Sequence, residues 1–369
     1  MTKFSALIII SLAAVLQAMP PDTCNQNTWV TNGPVYAIAP AGDKVYIGGD
    51  FTQVGPYTGS GVPINSLTGA PVPVFPKING RVNAVCDDGK GGWFVGGLFT
   101  SVDGLARNNI AHILSNGSLD PAWDPNVNSS IYSLVKSGTT VYAGGTFDSI
   151  SGQSRNHIAA LDAATGIALA WNPNTNGYVY ALVVSDQTVY FGGNFTSIGG
   201  QSRNNIAALN ATTGNATAWN PNANSMVYSL AVSGTTVYAG GDFYNIGGQA
   251  RSGIAALDAT TGNATAWNPI AFAGPVYSLA VSGTTVFVGG NLIRIGGQAR
   301  SDIAALDATT GAATAWNPNA NGIVYSLAVS GATVYAGGTF TSIRRAEPQL
   351  SRRLGCDNRE CSGLEPESE

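Results

Sequence analysis

The sequence predicts an all-β fold, a β-propeller of four-stranded blades, and three observations support that prediction. Charged residues make up only 10% of the 369 residues while 47 are glycines, which fits short strands joined by tight turns. A pair of glycines recurs every 48 or 49 residues, a period typical of propeller blades. No segment carries a sustained 3.6-residue apolar period, so helices are not expected. Each repeat needs its neighbours to bury its apolar face, which favours one closed domain.

Seven copies of the repeat align on the first glycine of this pair. These glycines are Gly48, Gly96, Gly144, Gly192, Gly240, Gly289 and Gly337. A tryptophan keeps the same step at Trp123, Trp171, Trp219, Trp267 and Trp316. The spacing predicts seven blades with the last one incomplete, because the pattern stops after Phe340; six blades and a stump is the alternative count. Trp29 lies where a fourth strand would precede Val35. We therefore expect an N-terminal strand to complete the last blade, which would remove exposed sheet edges.

The repeat that begins at Val227 illustrates the four strands predicted for each blade. VYSLAV, from Val227, is mostly apolar, as an inner strand buried on both faces requires. TVYAGG, from Thr236, is the second strand, and its glycines end it where neighbouring blades crowd and a side chain would not fit. IAALDA, from Ile254, and ATAWNP, from Ala264, are the third and fourth strands, joined by hairpin turn residues. Trp267 is expected to pack between blades.

Residues 1–18 have the pattern of a secretory signal peptide. Lys3 gives the positive start, and small residues near Ala18 suit cleavage. The apolar run 6–16 is too short to span a bilayer. We therefore expect a secreted or cell-surface monomer without a membrane span, whose propeller occupies residues 19–343. A net charge of −4 without basic clusters argues against nucleic-acid binding.

Residues 344–369 depart from the repeat and are predicted to be a frame-shifted, disordered tail. Residues 1–343 contain no glutamate, whereas the tail has five. Codons for residues 355–361, taken one nucleotide later, allow Asp-Ala-Thr-Thr-Gly-Asn-Ala, which is the repeat's own turn. Leu364, which stands 48 residues after Trp316, can become tryptophan in the same way. A sequencing error or a decayed gene would each explain this, and Cys356 and Cys361 are then accidents of the reading frame.

Candidate metal and redox residues are few. Outside the tail the cysteines are Cys24 and Cys86, and the sequence leaves open whether they form a disulfide in an oxidising compartment. The two histidines, His112 and His157, occupy non-equivalent repeat positions and cannot build a metal centre alone. We expect neither a metal site nor a cofactor.

The stretches VYSLAVSGTTVYAGGDFYNIGGQAR and IAALDATTGNATAWNP closely resemble the delta-60 repeat, which forms propellers in secreted and cell-surface bacterial proteins. The resemblance covers about residues 35–343. Similar GGxF-T-x-x-GG units occur in a fungal cell-polarity surface protein. The layout is also similar to kelch repeats, in which a Gly-Gly pair ends the second strand and a tryptophan lies further on. The resemblance implies a fold and a location, but no settled activity and no catalytic motif.

The stretch from Ala256 to Gly262, followed by Trp267, is similar to the tryptophan-docking motif of quinoprotein dehydrogenases. Four residues separate Gly262 from Trp267, whereas that motif has three. The motif is a structural device in quinoproteins, and the adjacent cysteine pair and acidic metal ligands of quinoenzymes are not visible in this sequence. We therefore expect a structural tryptophan in preference to a quinone site.

The candidate ligand-binding residues are five arginines that recur at the blade step in a polar loop. They are Arg107, Arg155, Arg203, Arg251 and Arg300. A ring of guanidinium groups could bind carboxylates or sugars through forked hydrogen bonds. The structural alternative is that each arginine pairs with an aspartate such as Asp162, Asp258 or Asp307. Repetition in every blade favours this alternative, because a binding site usually breaks the symmetry.

Departures from the repeat are where a specific site would lie, at residues 57–76, at 87–93 and at Ile270-Ala271-Phe272-Ala273, which replaces an Asn-Ala-Asn turn. No catalytic residue is predicted, since the repeats lack glutamate and a G-x-S-x-G motif. We expect a non-enzymatic propeller that binds an extracellular protein or polysaccharide, or has a structural role. The alternative is an enzyme, quinoprotein-like or glycan-acting, with its site at the central opening. Aspartates around that opening would favour the enzyme, and an apolar, glycine-lined opening would not.

Overall fold

The computed structural model describes residues 31–42, 44–52, 54, 61–65, 76–340 and 343. The predicted signal peptide and tail lie outside these residues, as do Cys24 and Trp29. Every regular element in the described part is a β-strand, as expected from the composition and the absence of a helical period. No helix there is long and apolar enough to cross a membrane.

Seven antiparallel sheets follow one another along the chain, and we number them blades 1 to 7. Each has an inner strand; these are Val35–Ala41, Ile78–Asp87, Ile131–Ser137, Tyr178–Ser185, Val227–Ser233, Val276–Ser282 and Val324–Ser330. Each inner strand pairs with a second strand; these are Lys44–Gly49, Trp93–Val102, Thr140–Gly145, Thr188–Asn194, Thr236–Gly241, Thr285–Gly290 and Thr333–Gly338. In blades 1 to 6 a third strand lies on the far side of the second; these are Gly61–Asn65, Ile110–Ile113, Ile158–Asp162, Ile206–Asn210, Ile254–Asp258 and Ile303–Asp307.

Small hairpins lie in the loops between the second and third strands. In blade 2, Leu105–Ala106 pairs with the extended end of the second strand. Blades 3 to 6 each have a separate two-stranded hairpin; these are Ser149–Ile150 with Gln153–Ser154, Ser197–Ile198 with Gln201–Ser202, Asn245–Ile246 with Gln249–Ala250, and Arg294–Ile295 with Gln298–Ala299. These hairpins bring the recurrent arginines to similar places in successive blades.

The fourth strand predicted for each blade is much shorter than the sequence indicated. In blade 5, Leu257 forms a single bridge with Ala264, and the backbone N–H of Thr265 donates to the carbonyl of Ala256 at 2.9 Å. The ladder stops there because the Thr265 hydroxyl accepts a hydrogen bond from the N–H of Trp267 at 3.2 Å. Pro269, two residues further on, has no N–H to donate to a ladder.

The hydrophobic core lies between blades. One cluster joins Phe94 and Trp123 of blade 2 to Ile131, Val141 and Phe147 of blade 3, all of them buried. Equivalent clusters join the later blades. Since every apolar face is covered by the next blade, the repeats stabilise one another in sequence around the ring.

The glycine pairs lie where blades approach most closely. A Cβ atom added to Gly240 would lie 2.5 Å from Cγ1 of Val276, which is fully buried in the next blade. A Cβ on Gly144 would meet Val179 in the same way. The prediction that a side chain would not fit at these positions is confirmed.

The tryptophans dock each blade onto the next, as predicted. The indole Nε1 of Trp219 donates to the carbonyl of Asp258 at 2.9 Å, and that of Trp267 donates to the carbonyl of Asp307 at 2.9 Å. Trp123 of blade 2 and Trp171 of blade 3 donate in the same way to the carbonyls of Asp162 and Asn210 in the next blade. These side chains are buried and their polar atom is satisfied, so their visible role is structural.

The inner strands pack around a common axis, and blade 1 packs against blade 7. A Cβ on Gly337 would lie 2.5 Å from Cγ1 of Val35, the same relation that joins the other blades. The rings of Tyr36 and Tyr325 lie 5.4 Å apart across the same junction. The seven blades therefore form a ring closed by side-chain packing. The N-terminal strand predicted to complete blade 7 lies outside the described residues.

Candidate functional site on the loop face

One face of the ring carries both the connections that enter the inner strands and the loops that leave the second strands. In blade 5 the N–H of Asp242 donates to the carbonyl of Met226, which brings the two kinds of segment side by side. We call this side of the ring the loop face. It contains the candidate arginines and the departures from the repeat at residues 270–273.

The five arginines lie on the loop face, but their guanidinium groups bond to nearby backbone. Arg251 donates from Nη1 to the carbonyl of Ala250 at 2.8 Å and from Nη2 to the carbonyl of Thr265 at 2.6 Å. Arg107, Arg155, Arg203 and Arg300 make the equivalent pair of bonds. Each arginine thus ties its loop to the segment that follows the third strand. Whether any of them contacts a ligand stays a prediction.

Arg107 pairs with an aspartate of its own blade as predicted, since its Nη1 lies 3.4 Å from Oδ2 of Asp124. The three aspartates named as partners of the arginines have a different role, so the prediction is wrong for them. The carboxylate of Asp258 accepts hydrogen bonds from the N–H and the hydroxyl of Thr261, at 2.7 and 2.8 Å. Those bonds hold the pKa of Asp258 below its ordinary value. Asp162 and Asp307 bind their own turns in the same way. The short turn after the third strand uses the carboxylate locally, which leaves the arginines to the backbone carbonyls.

A bulge near the start of every inner strand displaces one residue from the ladder. In blade 5, Val227 pairs with Gly241 and Ser229 with Gly240, so Tyr228 is the extra residue. All seven inner strands have this bulge. The bulge residue is tyrosine in six blades: Tyr36, Tyr132, Tyr180, Tyr228, Tyr277 and Tyr325. In blade 2 it is Asn83.

These tyrosines contact one another from blade to blade around the central opening. Centroid distances are 5.5 Å for Tyr132 to Tyr180, 5.5 Å for Tyr180 to Tyr228, and 5.3 Å for Tyr228 to Tyr277. The series continues through Tyr325 to the closing contact with blade 1. We call this set of six side chains the tyrosine ring. Sequence reasoning missed it, although a tyrosine after the first valine or isoleucine of six repeats was a visible signal.

Arg81 and Asn83 of blade 2 occupy the gap in the tyrosine ring. The guanidinium carbon of Arg81 lies 5.6 Å from the ring centroid of Tyr36, a distance close to those between the tyrosines. Its Nε has no hydrogen-bond partner in the described part of the chain. Asn83 donates from Nδ2 to the carbonyl of Ile131 at 3.0 Å. The opening is therefore surrounded by six phenols and one cation.

Partial burial raises the pKa of four phenols of the ring. It raises the pKa of Tyr228 to about 12, and the neighbouring Tyr277 and Asp242 add to the rise. The pKa values of Tyr180, Tyr277 and Tyr325 are also raised, first by burial. At neutral pH the hydroxyls can therefore both donate and accept hydrogen bonds.

A second feature of the loop face is an apolar patch between blades 5 and 6. Ile270, Phe272 and Ile293 are 51%, 62% and 61% exposed. Phe272 and Ile293 are adjacent, because the N–H of Ile293 donates to the carbonyl of Phe272 at 3.2 Å. We call these three residues the blade 5–6 patch. Tyr244, 64% exposed, lies on the neighbouring loop of blade 5.

Ile270 adopts a left-handed backbone conformation with φ of 48°. A β-branched residue is a rare outlier there, and such strain persists only where the surrounding structure imposes it. Asparagines, which tolerate this conformation, occupy the equivalent positions: Asn126, Asn174, Asn222 and Asn319. The patch therefore combines exposed apolar area with a strained residue.

A buried histidine distinguishes blade 2. His112 contacts Asp120 through Nδ1 at 3.0 Å and Asp88 through Nε2 at 3.2 Å, and it stacks on Phe94 with centroids 4.4 Å apart. Burial opposes ionisation of Asp88, but hydrogen bonds from Lys90, Gly92 and His112 outweigh it and lower its pKa. In the described residues no group of three or more His, Cys, Asp or Glu side chains is arranged to hold a metal ion.

Comparison with known proteins identifies the family. A family profile, PQQ_2, described as outer membrane protein assembly factor BamB, matches residues 79–349. That match spans more than half of the chain. The chain belongs to this family. The BamB profile begins in the inner strand of blade 2 and runs through the remaining blades, so it covers six of the seven repeats that the glycine spacing defines. No curated protein matches the chain.

Solved structures similar to this chain are propellers. The computationally designed Ika8 protein is 16% identical with a TM-score of 0.54, over 86% of this chain and 97% of its own. The WD40 β-propeller domain of Doa1 is 13% identical with a TM-score of 0.54, over 88% and 93%. The WD40 domain of Pan2 from Neurospora crassa is 14% identical with a TM-score of 0.54, over 89% and 100%. At these identities the similarity shows the fold alone. The propeller is thus confirmed, whereas assignment to the delta-60 repeat in particular stays a prediction.

The described residues do not fit the quinone site that the similarity to the tryptophan-docking motif suggested. Burial raises the pKa of the Cys86 thiol to about 12, and Cys86 is the one cysteine among the described residues, with no cysteine next to it in the sequence. The seven bulge residues around the central opening are six phenols and one amide, with the guanidinium of Arg81 against Tyr36 and the carboxylate of Asp242 near Tyr228 and Tyr277. This donor set suits hydrogen bonding and stacking better than acidic metal ligation.

Proposed function

We propose that this chain is a secreted, non-enzymatic propeller that holds a protein partner against the blade 5–6 patch. The observation that carries this proposal is the exposure of Ile270, Phe272 and Ile293 at the one connection where the later repeats break their pattern. Exposed apolar side chains grouped in this way are typical of protein interaction sites. An aromatic residue such as Phe272 is a common anchor at the centre of such an interface.

Strain at Ile270 supports a functional reason for the patch. Asparagine at this position would relieve a left-handed conformation that costs a non-glycine residue roughly 1–2 kcal/mol. A residue kept at such a cost, exposed to solvent, is better explained by a partner than by stability of the free chain.

The family description supports the class of partner. Members are described as outer membrane protein assembly factors, so we propose that the partner is a protein of that assembly process. The resemblance to delta-60 repeats and the apolar run at residues 6–16 support secretion. N-terminal sequencing of the protein purified from the cell envelope tests this: cleavage near Ala18 is expected, and an uncleaved chain in the cytoplasm would contradict it.

A photo-crosslinking residue tests the docking surface in the source cells. Placed at Phe272, it should give a discrete protein adduct. The matched control is Ile167, which is 58% exposed on a turn after a third strand, away from the patch. Adducts of equal yield at both positions would contradict the proposal.

A variant that restores the repeat pattern separates docking from folding. Ile270→Asn with Phe272→Asn should weaken partner binding at least about tenfold, as expected for loss of interface anchors. The thermal midpoint should stay the same or rise, because the strain at residue 270 is removed. Unchanged binding by a well-folded variant would exclude the patch as the docking site.

The alternative is an enzyme acting at the central opening. Asp242 is the carboxylate whose charge raises the pKa of both Tyr228 and Tyr277 there. The carboxylate at the equivalent position, Asp50, belongs to blade 1, three blades away around the ring, so the two do not form a paired acid and base. The phenols and the guanidinium favour binding over catalysis at this position.

A further inference from the structure

We infer that the tyrosine ring binds an acidic saccharide, with sugar hydroxyls bonded to the phenols and the sugar carboxylate bonded to Arg81. This site involves different residues from the blade 5–6 patch and does not depend on the proposed protein docking. Three features of the opening support it: its width, its hydrogen-bonding groups and its single cation.

The width of the opening suits a chain of six-membered rings. Neighbouring groups 5.2–5.6 Å apart in a ring of seven lie about 6 Å from the common axis, by simple geometry. The aromatic carbons lie about 1.4 Å from each ring centroid, and with their van der Waals radius they take up about 3 Å of that distance on each side. An opening about 6 Å wide remains, which suits one sugar residue seated against the ring but not a folded domain.

The hydrogen-bonding groups around the opening suit a polyhydroxylated ligand. Among the described residues, the Tyr228 hydroxyl has one protein partner, the sulfur of Met226 at 3.2 Å, which is a weak acceptor. No protein partner is seen for the hydroxyls of Tyr36, Tyr132, Tyr180, Tyr277 and Tyr325 in the described part of the chain. Neutral phenols can donate to and accept from sugar hydroxyls, and their aromatic carbons can pack on the C–H faces of sugars.

Arg81 is the cation of the opening, and its planar guanidinium is the group that binds carboxylates through paired hydrogen bonds. Asp242 raises the pKa of Tyr228 and Tyr277, and Asp50 occupies the equivalent position in blade 1, where its N–H donates to Pro34 as that of Asp242 donates to Met226. A ligand carboxylate is therefore attracted by Arg81 alone. Asn83 replaces the tyrosine in blade 2, which gives the ring one asymmetric position beside Arg81.

The chemistry distinguishes this ligand from a simple anion or a neutral glycan. A small anion would use Arg81 alone and gain nothing from the phenols. A neutral glycan would use the phenols and gain nothing from the guanidinium. Only a hydroxylated acid uses both, so we assign the opening to uronic-acid-type saccharides.

Calorimetric titration of the full chain with tetragalacturonate and with its carboxyl-reduced, neutral form tests the inference. The acidic form should bind at least about tenfold more tightly, because hydrogen bonds to a charged group are the stronger class. Arg81→Gln should remove this difference while leaving weak binding of the neutral form. No heat of binding with either saccharide would overturn the inference, and so would acetate competing as well as the tetrasaccharide.

Phenylalanine variants test the hydroxyls without removing the rings. Tyr228→Phe with Tyr277→Phe should weaken both saccharides about tenfold, because two hydrogen bonds are lost. Tyr244→Phe is the control, since this tyrosine lies on the loop face outside the ring. The Ile270→Asn, Phe272→Asn variant should bind both saccharides normally, so failure of the docking proposal and failure of this one are distinguishable. Unchanged affinity in the double phenylalanine variant would overturn the inference.

Discussion

In blades 2 to 6 the residue just before the third strand adopts a left-handed conformation, and its side chain decides which hydrogen bonds the loop makes there. Asn205, with φ of 62°, accepts from the N–H of Phe195 at 3.3 Å and donates to the carbonyl of Ala223 at 2.9 Å. Asn109 makes the same two bonds in blade 2. In blade 3 the position is His157, with φ of 64°, and its Nδ1 is buried without a partner. Blade 3 thus lacks the two side-chain hydrogen bonds that blades 2 and 4 make at this position.

We predict that His157→Asn stabilises the protein by about 1 kcal/mol at pH 7, the value of a typical satisfied hydrogen bond. The gain should grow as the pH falls below 6.5. Burial lowers the pKa of His157 in the folded state, so the unfolded chain binds the proton first and the wild type loses stability with falling pH. Urea unfolding at pH 7 and pH 5 measures the difference.

The reciprocal change, Asn205→His, is the control for that experiment. It should destabilise blade 4 and introduce the same pH dependence there. If His157→Asn left the pH profile unchanged, the loss of stability below pH 6.5 would have to come from another group.

At the scale of the strand, the contact between the glycine pair and the next blade sets the spacing of the propeller. Gly240 faces Val276, and Val276 is fully buried, so neither residue has room to move. Gly240→Ala should destabilise the protein by about 1–3 kcal/mol through overpacking. Val276→Ala alone should also destabilise it, by leaving a cavity.

The double variant tests whether the two losses of stability arise from the same contact between Gly240 and Val276. Gly240→Ala with Val276→Ala should cost less than the sum of the single changes, because the added methyl group fills the space that valine left. Equilibrium unfolding in urea gives the three free energies. Strict additivity would mean that the glycine is needed for a different reason, such as its backbone conformation.

Predictability from the sequence differs between strands for physical reasons. The first three strands of blades 2 to 6 were predictable, because apolar residues, turn residues and the glycine pair all recur at fixed positions. The third strand of blade 1, Gly61–Asn65, lies where the sequence departs from the repeat and was missed. The fourth was overestimated, since a threonine hydroxyl that captures the N–H of Trp267 ends the ladder. The bulge at Tyr228 was missed, because a bulge depends on the register between two strands and not on the pattern of either.

At the scale of the whole molecule, residues that break the symmetry distinguish the candidate sites, although the tyrosine ring itself recurs in six blades. The arginines recur in five blades and bond to backbone carbonyls, whereas the symmetry argument favoured pairing with aspartates. Arg81, Asn83 and the blade 5–6 patch each occur once. The sequence showed that residues 270–273 depart from the repeat, but it could not show that Phe272 and Ile270 are exposed. Exposure follows from the position of this connection on the loop face.

Closure of the ring is the property on which the central opening depends. The opening keeps its shape only if blade 1 and blade 7 hold together as firmly as any other pair of blades. Val35 meets Gly337 across this junction just as Val227 meets Gly192 between blades 4 and 5. Val35 and Val227 are both buried, so the two valines form a matched pair inside one molecule.

We predict that Val35→Ala and Val227→Ala destabilise the protein by similar amounts, about 1–3 kcal/mol each, because each removes a buried contact between blades. Urea unfolding followed by tryptophan fluorescence measures both free energies. A much smaller cost for Val35→Ala would mean that the junction opens in solution. The tyrosine contacts supply a second readout, because Tyr36 and Tyr325 would separate in an open ring. Arg81 is held against Tyr36, so an open junction would also loosen the guanidinium of Arg81. In that case Val35→Ala would weaken binding of the acidic saccharide more than Val227→Ala does.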